Sequence, residues 1–462
     1  MQLGKRENRA KHYEVDMTVG KPFHHLLNFA IPLLLGNLFQ QFYNMVDTWV
    51  VGNYVSSEAF SAVGTVGPII NLLIGAFSGL ASGAGVVISQ YFGAGDERKV
   101  HEAVHTSIVL TAAMSVAFTV LGIVITPMTL RMMNTPAEVF PESQAYLTIY
   151  FAGMTGLMFY NMGAGILRAV GDSRRPFYFL LVAAALNTGL DLLFVIAFGM
   201  GVEGVAYATI IAQFGSAICT TVALLRTDSC VRVHLSKLRC HRDALSKIVR
   251  VGIPASIQMA ITSFSNIFVQ GYINYFGTDC MGGWTAYSKI DQLIFLPMQS
   301  LALAATTFVG QNLGKGQVDN AKRGVRTSLM MAFVSTAVIS AVVILGAEPL
   351  VRFFNDKDAV VSYGALFIRW LTPFYVFCCV NQIYTGALRG SGDSRAPMII
   401  MLASFVVFRQ IYLFVMAKFI ANEVIPIGMG YPAGWLVCSV LTFVYYKRAN
   451  LSRNRLVADA AR

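Results

Sequence analysis

Charge is what this 462-residue chain lacks: Asp, Glu, Lys and Arg make up 13% of it, against 55% hydrophobic residues. A soluble domain uses about 25% charged residues to cover its surface, so much of this surface must face lipid. The seven cysteines include no CxxC pair and no histidine at metal-ligand spacing. Most lie in apolar stretches, where a thiol packs as a small core residue, and neither a disulfide nor a metal centre is expected. No Walker phosphate-binding loop is present, so the chain is not expected to hydrolyse nucleotide. Residues 1–21 are polar and basic, without the short apolar core and cleavage site of a secretory leader, so the N-terminus is expected to stay. A net charge of +11 raises nucleic acid as a partner, but there is no soluble domain to hold it.

What the chain has is long apolar runs, with a mean hydropathy of +0.59. A bilayer core of ~30 Å needs about 20 residues of helix. Segments of that length run over 24–53, 58–92, 98–125, 138–167, 176–198, 203–225, 246–276, 282–312, 320–345, 359–388, 396–420 and 428–446. The expected fold is all-α and integral to the membrane, with twelve helices. If the N-terminus is inside, the segments that then face inward carry 28 of the 35 Lys and Arg. Arg131, Arg352, Lys357 and Lys418 face outward, and Lys289, Arg369 and Arg409 fall within spans. The positive-inside rule therefore places both termini in the cytoplasm.

The sequence also repeats itself. Gly165-Ile-Leu-Arg-Ala-Val-Gly-Asp-Ser-Arg-Arg-Pro176 returns as Gly386-Ala-Leu-Arg-Gly-Ser-Gly-Asp-Ser-Arg-Ala-Pro397, at an offset of 221. The same offset pairs Gln90, Gly93 and Gly95 with Gln311, Gly314 and Gly316. With one residue slipped, Ile31-Pro32 and Asn44 pair with Ile253-Pro254 and Asn266. This is a tandem duplication. Each half holds an even number of helices, so the repeat is parallel, with a cavity expected between lobes. The expected organisation is a cytoplasmic tail over 1–23, a first lobe over 24–226, a solvated cytoplasmic linker over 227–245, a second lobe over 246–446 and a tail over 447–462. In each repeated loop the glycines permit backbone turns and the proline suits the first turn of the next helix. The Asp and Arg are read as braces for helix ends, more scaffold than gate.

Taken together, Ile31-Pro32, Tyr43-Asn-Met-Val-Asp47, Gln90-Tyr-Phe-Gly-Ala-Gly95, Val309-Gly-Gln-Asn-Leu-Gly314 and the paired Gly-Asp-Ser-Arg loops resemble the multidrug and toxic compound extrusion (MATE) family. The resemblance covers nearly the whole chain and is to its bacterial DinF-like or MepA-like branch. It implies an inner-membrane antiporter that exports amphipathic organic compounds in exchange for H⁺, with Na⁺ as the alternative. No cofactor, no enzymatic activity and a monomer are expected, with small-molecule substrates and membrane lipids as partners. A lipid-linked oligosaccharide flippase of the same superfamily is the rival, and Lys289, Arg369 and Arg409 are the residues it would use. A major-facilitator transporter is disfavoured by the Gly-Asp-Ser-Arg repeat.

Ionisable groups deep in a span point to function. Asn37, Gln40, Gln41, Asn44, Asp47 and Thr48 form a continuous polar face on the first span, which must look inward. Asn187 and Asp191 lie one turn apart on the fifth, and Thr209 follows on the sixth. The duplication replaces Asp47 by Val269, Asn187 by Phe408 and Asp191 by Tyr412, so the first half is acidic where the second is not. By resemblance, Asp47, Asn187, Asp191 and Thr209 match the first-lobe cation-coupling site of DinF-like members, and Pro32 matches the first-helix bend. Any Na⁺ is expected at Asp47 and Asp191. The NorM-like branch relies on acids in helices 7 and 10, where this chain offers Gln258, Asn266, Asn381 and Gln382. A substrate path is expected along Gln40, Tyr43, Asn44, Asn161, Gln258 and Asn266. Lys289, Asp291, Arg369 and Arg409 could pair internally or line the cavity, and Arg409 could equally snorkel to an interface. A basic lining would suit simple organic cations poorly.

Overall fold

A computed structural model describes residues 14–55, 57–133, 135–453 and 455–457, apart from the side chains at 48, 57–61, 64, 65, 68, 71, 72, 263 and 264. The tail expected over 1–23 thus lies outside the described residues as far as 13. The tail expected over 447–462 lies outside at 454 and from 458 onward.

The described residues are helical and include no strand. The first half comprises α1 (Pro22–Tyr54), α2 (Ser57–Gly93), α3 (Glu97–Met132), α4 (Phe140–Ala152), α5 (Met154–Ala169), α6 (Arg174–Asp191) and α7 (Gly201–Arg226). The second comprises α8 (Arg242–Asn274), α9 (Thr278–Gly314), α10 (Val318–Leu345), the short α11 (Ala347–Arg352), α12 (Asp358–Leu371), α13 (Tyr375–Ser391), α14 (Arg395–Met401), α15 (Arg409–Val415), α16 (Val424–Gly428) and α17 (Gly430–Arg448). Among the described residues ten helical stretches are long and apolar enough to cross a membrane. The expected spans at 24–53 and 138–167 are not among them. The first is α1, whose row of polar residues lowers its hydropathy. The second is broken at Gly153 into α4 and α5, of 13 and 16 residues. A matching break at Thr372–Phe374 separates α12 from α13.

The chain packs as two compact units. One is Met1–Asp16 with Ile31–Gly252, and the other is Met17–Ala30 with Ile253–Arg462. One boundary precedes α1, at Asp16–Met17, and the other two fall inside α1 and α8, each at an Ile-Pro pair, and not in the linker. Proline lacks an amide hydrogen and clashes with the preceding turn, so these are the points where a long helix is held to itself least strongly.

The duplicated motifs adopt the same backbone. Gly95 and Gly316 have φ of +72° and +83°, and Gly171 and Gly392 have +86° and +99°. Asp172 then caps α6: its Oδ1 accepts the amides of Arg174 and Arg175 at 3.0 and 3.1 Å, and its Oδ2 pairs with Arg175 Nε. Asp393 does the same for α14, accepting the amide of Ala396 at 3.2 Å and the hydroxyl of Tyr445 at 2.7 Å. Helix N-termini carry unpaired amides and partial positive charge, so both loops are helix-end braces.

The segment after α7 differs from a solvated linker. Val231 and Val233 are buried, and the first turns of α3 hold the segment's backbone. His101 neighbours the Cys230 backbone. His105 Nε2 accepts the His234 amide at 3.0 Å while its Nδ1 meets the His101 carbonyl at 2.8 Å, and Thr106 Oγ1 accepts the His241 amide at 3.0 Å. Composition alone reads this segment as polar; the apolar Val-x-Val and the polar start of α3 dock it.

Candidate functional site

In the first unit α1 meets α4, α5 and α6 through its polar face: Asp47 neighbours Asp191 and Tyr146, and Tyr43 neighbours Tyr150 and Tyr160. Asp191 ends α6 and is fully buried, and the chain passes directly into a π-helical turn, Leu192–Ala197. Such turns widen the backbone ring and recur at functional positions. Asp47 and Asp191 are electrostatic neighbours. Asp47 Oδ1 and both carboxyl oxygens of Asp191 are buried without a hydrogen-bond partner. Tyr146 of α4 feels both carboxyls and neighbours Thr209 of α7. Thr209 also donates to its own helix, at Val205 O, 2.9 Å.

Around this centre, Tyr43 takes the Gln40 amide at 3.4 Å and neighbours Asp47, Tyr150 and Tyr160. Tyr150 accepts from Gln213 at 3.4 Å. Asn187 is buried, but neither atom of its amide has a partner, so it lines the same helix face without joining the hydrogen bonds. Asn44 is exposed, Asn161 donates to its own helix at Leu157 O, and the Thr48 side chain lies outside the described residues. Tyr146 escaped sequence reading because a tyrosine in a membrane span has the same signature as ordinary packing. No cation pairs with Asp47 or Asp191 among the described residues. Two buried carboxylates repel one another, and a single small cation between them, a proton or a sodium ion, offsets half of their charge and relieves that repulsion.

The second unit holds different chemistry in the corresponding place. Arg409, 2% exposed, opens α15 directly after a second π-helical stretch, Leu402–Phe408. Its Nη2 donates to Ser265 Oγ and, at 3.0 Å, to Asn266 Oδ1 on α8. Nearby, the Tyr375 hydroxyl donates to Asp291 Oδ1 and lies 3.0 Å from Tyr287 Oη. Gln258 accepts from Arg389 at 3.0 Å. Arg369 pairs with Glu348 at 2.8 Å, and Lys289 is exposed. Arg409 does not snorkel: its guanidinium is enclosed.

Among the described residues no group of three or more His, Cys, Asp or Glu could hold a metal ion. The fold and the buried carboxyl pair define a duplicated, helical, multi-pass membrane protein of the transporter type. The chain matches MatE over residues 32–193 and 254–415, and it belongs to that family. The probable multidrug resistance protein YpnP of Bacillus subtilis is 28% identical, covering 96% of this chain and 99% of that protein. The probable multidrug resistance protein NorM of Thermotoga maritima is 26% identical, with 93% and 95% covered. In fold, a MOP superfamily transporter from Pyrococcus furiosus superposes with a TM-score of 0.90 over 94% of this chain and 97% of that one, at 23% identity.

Proposed function

We propose that this chain is a secondary active multidrug efflux antiporter of a bacterial inner membrane. It exports amphipathic organic compounds by alternating access, driven by entry of H⁺, with Na⁺ as the other candidate. The observation that carries the reading is the Asp47–Asp191 pair: two buried carboxyls on separate helices, side by side, with no basic partner among the described residues. Such a pair holds one cation well and none or two poorly. Tyr146, beside Thr209, stands next to both carboxyls and can follow their charge. Each charge that enters supplies about 2.3 kcal/mol per 100 mV of membrane potential. Pro32, next to the point where α1 passes between units, supplies the bend through which occupancy acts on the helix. Twelve crossings in two parallel six-helix lobes, with both termini cytoplasmic, complete the proposal, and the chain works as a monomer on substrates that pass Gln40, Tyr43 and Asn44.

Efflux from proteoliposomes, with pH and Na⁺ gradients imposed separately against a panel of dyes and antibiotics, tests this. Asp47→Asn and Asp191→Asn should each abolish gradient-driven export, and the double variant should be little worse. Near-normal driven export by either single variant refutes the assignment. The flippase reading is weaker, because the three cations it needs have different settings: Arg369 is paired, Lys289 is exposed and Arg409 is enclosed.

A further inference from the structure

We propose that the second unit contains an anion site built on Arg409. A guanidinium enclosed within a membrane span is costly unless a counter-charge meets it. Among the described residues no carboxylate pairs with Arg409. Its contacts are the neutral Ser265 and Asn266 and two aromatic faces, Tyr431 at 4.7 Å and Phe405 at 5.3 Å from the guanidinium carbon. Its Nε is buried with no hydrogen-bond partner. Asp291 acts on the same Tyr431 ring, but its Oδ1 is taken by Tyr375.

The surroundings hold Arg409 in place and leave a donor edge over. Ser265 Oγ donates to Phe405 O, a carbonyl of the π-helical stretch, and accepts from Gln410 Nε2 at 3.0 Å as well as from Arg409. The hydroxyl is saturated, with one bond given and two taken. Gly434 makes the room: a Cβ there would sit 3.3 Å from Arg409 Cδ and 3.2 Å from Phe405. A fixed donor with a free Nε–H suits a compact singly charged anion, chloride or one oxygen of a carboxylate, because a charge-assisted hydrogen bond to such an acceptor is strong. Two sources share this chemistry: an inorganic ion such as chloride, resident in the unit, and the anionic group of an exported compound. The second rests on the efflux reading; the site itself does not.

The test is equilibrium binding to the purified full chain in nanodiscs, with no gradient imposed. Chloride or benzoate replaces a bulky sulfonate, the HEPES anion, at constant pH, Na⁺ and ionic strength. Trp284 and Trp435 lie 5.3 and 5.8 Å from the Tyr431 ring, so tryptophan fluorescence reads the site, and thermal unfolding gives an independent measure because a bound ligand raises the midpoint. Saturable changes in both measures are expected for at least one anion. Arg409→Gln should weaken that binding at least tenfold, and Arg409→Lys, which keeps the charge but not the free Nε–H, should weaken it less. Chloride alone would identify a resident ion; benzoate alone, or benzoate binding more tightly, would identify a substrate group. No saturable response of the wild-type protein to either anion overturns the proposal without any variant needing to fold. So does a response that Arg409→Gln retains undiminished.

Discussion

Replacing Asp172 separates scaffold from gate at the first Gly-Asp-Ser-Arg loop. The carboxylate is 2% exposed and has two roles that two substitutions divide. Its Oδ1 caps α6 through the amides of Arg174 and Arg175, and its Oδ2 pairs with Arg175, whose side chain is 16% exposed. Asparagine caps a helix about as well as aspartate, whereas alanine forfeits roughly 1 kcal/mol. Losing the ion pair costs less than the ~3–5 kcal/mol of a fully buried one, because Arg175 keeps the charge of Glu14 nearby and some water. About 1–2 kcal/mol is the expectation for Asp172→Asn, and about 2–3 kcal/mol for Asp172→Ala. Chemical unfolding in detergent measures both. Export per folded molecule, followed in the proteoliposome assay, should stay near wild type in each. Equal costs for Asn and Ala would remove the cap from the account. Lost export with undiminished stability would make the loop a gate and refute the reasoning.

Three further outcomes test other parts of the structure. Gly171→Ala places a Cβ 2.4 Å from the carbonyl oxygen of Val15 at a φ of +86°, and should cost well over the ~1–2 kcal/mol of a left-handed alanine; Gly95→Ala, with open space around it, should cost only about that much, as unfolding midpoints would show. His105→Ala removes the acceptor of the His234 amide, worth ~1–2 kcal/mol, so hydrogen exchange over residues 231–241 should quicken roughly tenfold, and unchanged exchange would mean that the segment is held elsewhere. Burial, with the charge of Glu14 second, pushes the Cys230 thiol up to about 12. Maleimide at pH 8 should therefore label it some 10³-fold more slowly than exposed Cys240, its rate still rising tenfold per pH unit where an ordinary thiol has levelled off; equal rates followed by mass spectrometry would contradict this.

Much of the architecture was legible in the residues because membranes impose simple rules. A span must be long and apolar, and a duplication leaves its register in the loops, as Gly171 and Gly392 show by sharing both motif and backbone. The breaks at Gly153 and Thr372–Phe374 were not legible, since a hydropathy window sums straight through them. The docking of 227–241 was hidden because His101, His105 and Thr106 sit on the polar start of α3, where composition suggests only solvent. Asp47 and Asp191 could be selected by type, an acid in a span. Tyr146 could not, because a tyrosine there has the same signature as packing.

Arg409 marks the deeper limit, and it also bears on what the duplication has become. A 3.6-residue period assigns faces only while the helix stays α. The seven-residue π-helical stretch before Arg409 shifts that phase, which is why the sequence left open an interface for a side chain the structure encloses. In repeat register Arg409 falls one residue after the partner of Asn187 and three before the partner of Asp191. It is held by Ser265 and Asn266, the latter the partner of Asn44 on α1. Each unit therefore places its buried charge between the same two helices of the repeat, acidic in the first unit and basic in the second. A purely structural need would be met by the same polar pair in both halves, and neither half would bear the cost of burying charge of one sign. Opposite signs at matching positions are what two different ligands require: a cation where two carboxyls meet, and an anion where a guanidinium has a donor to spare.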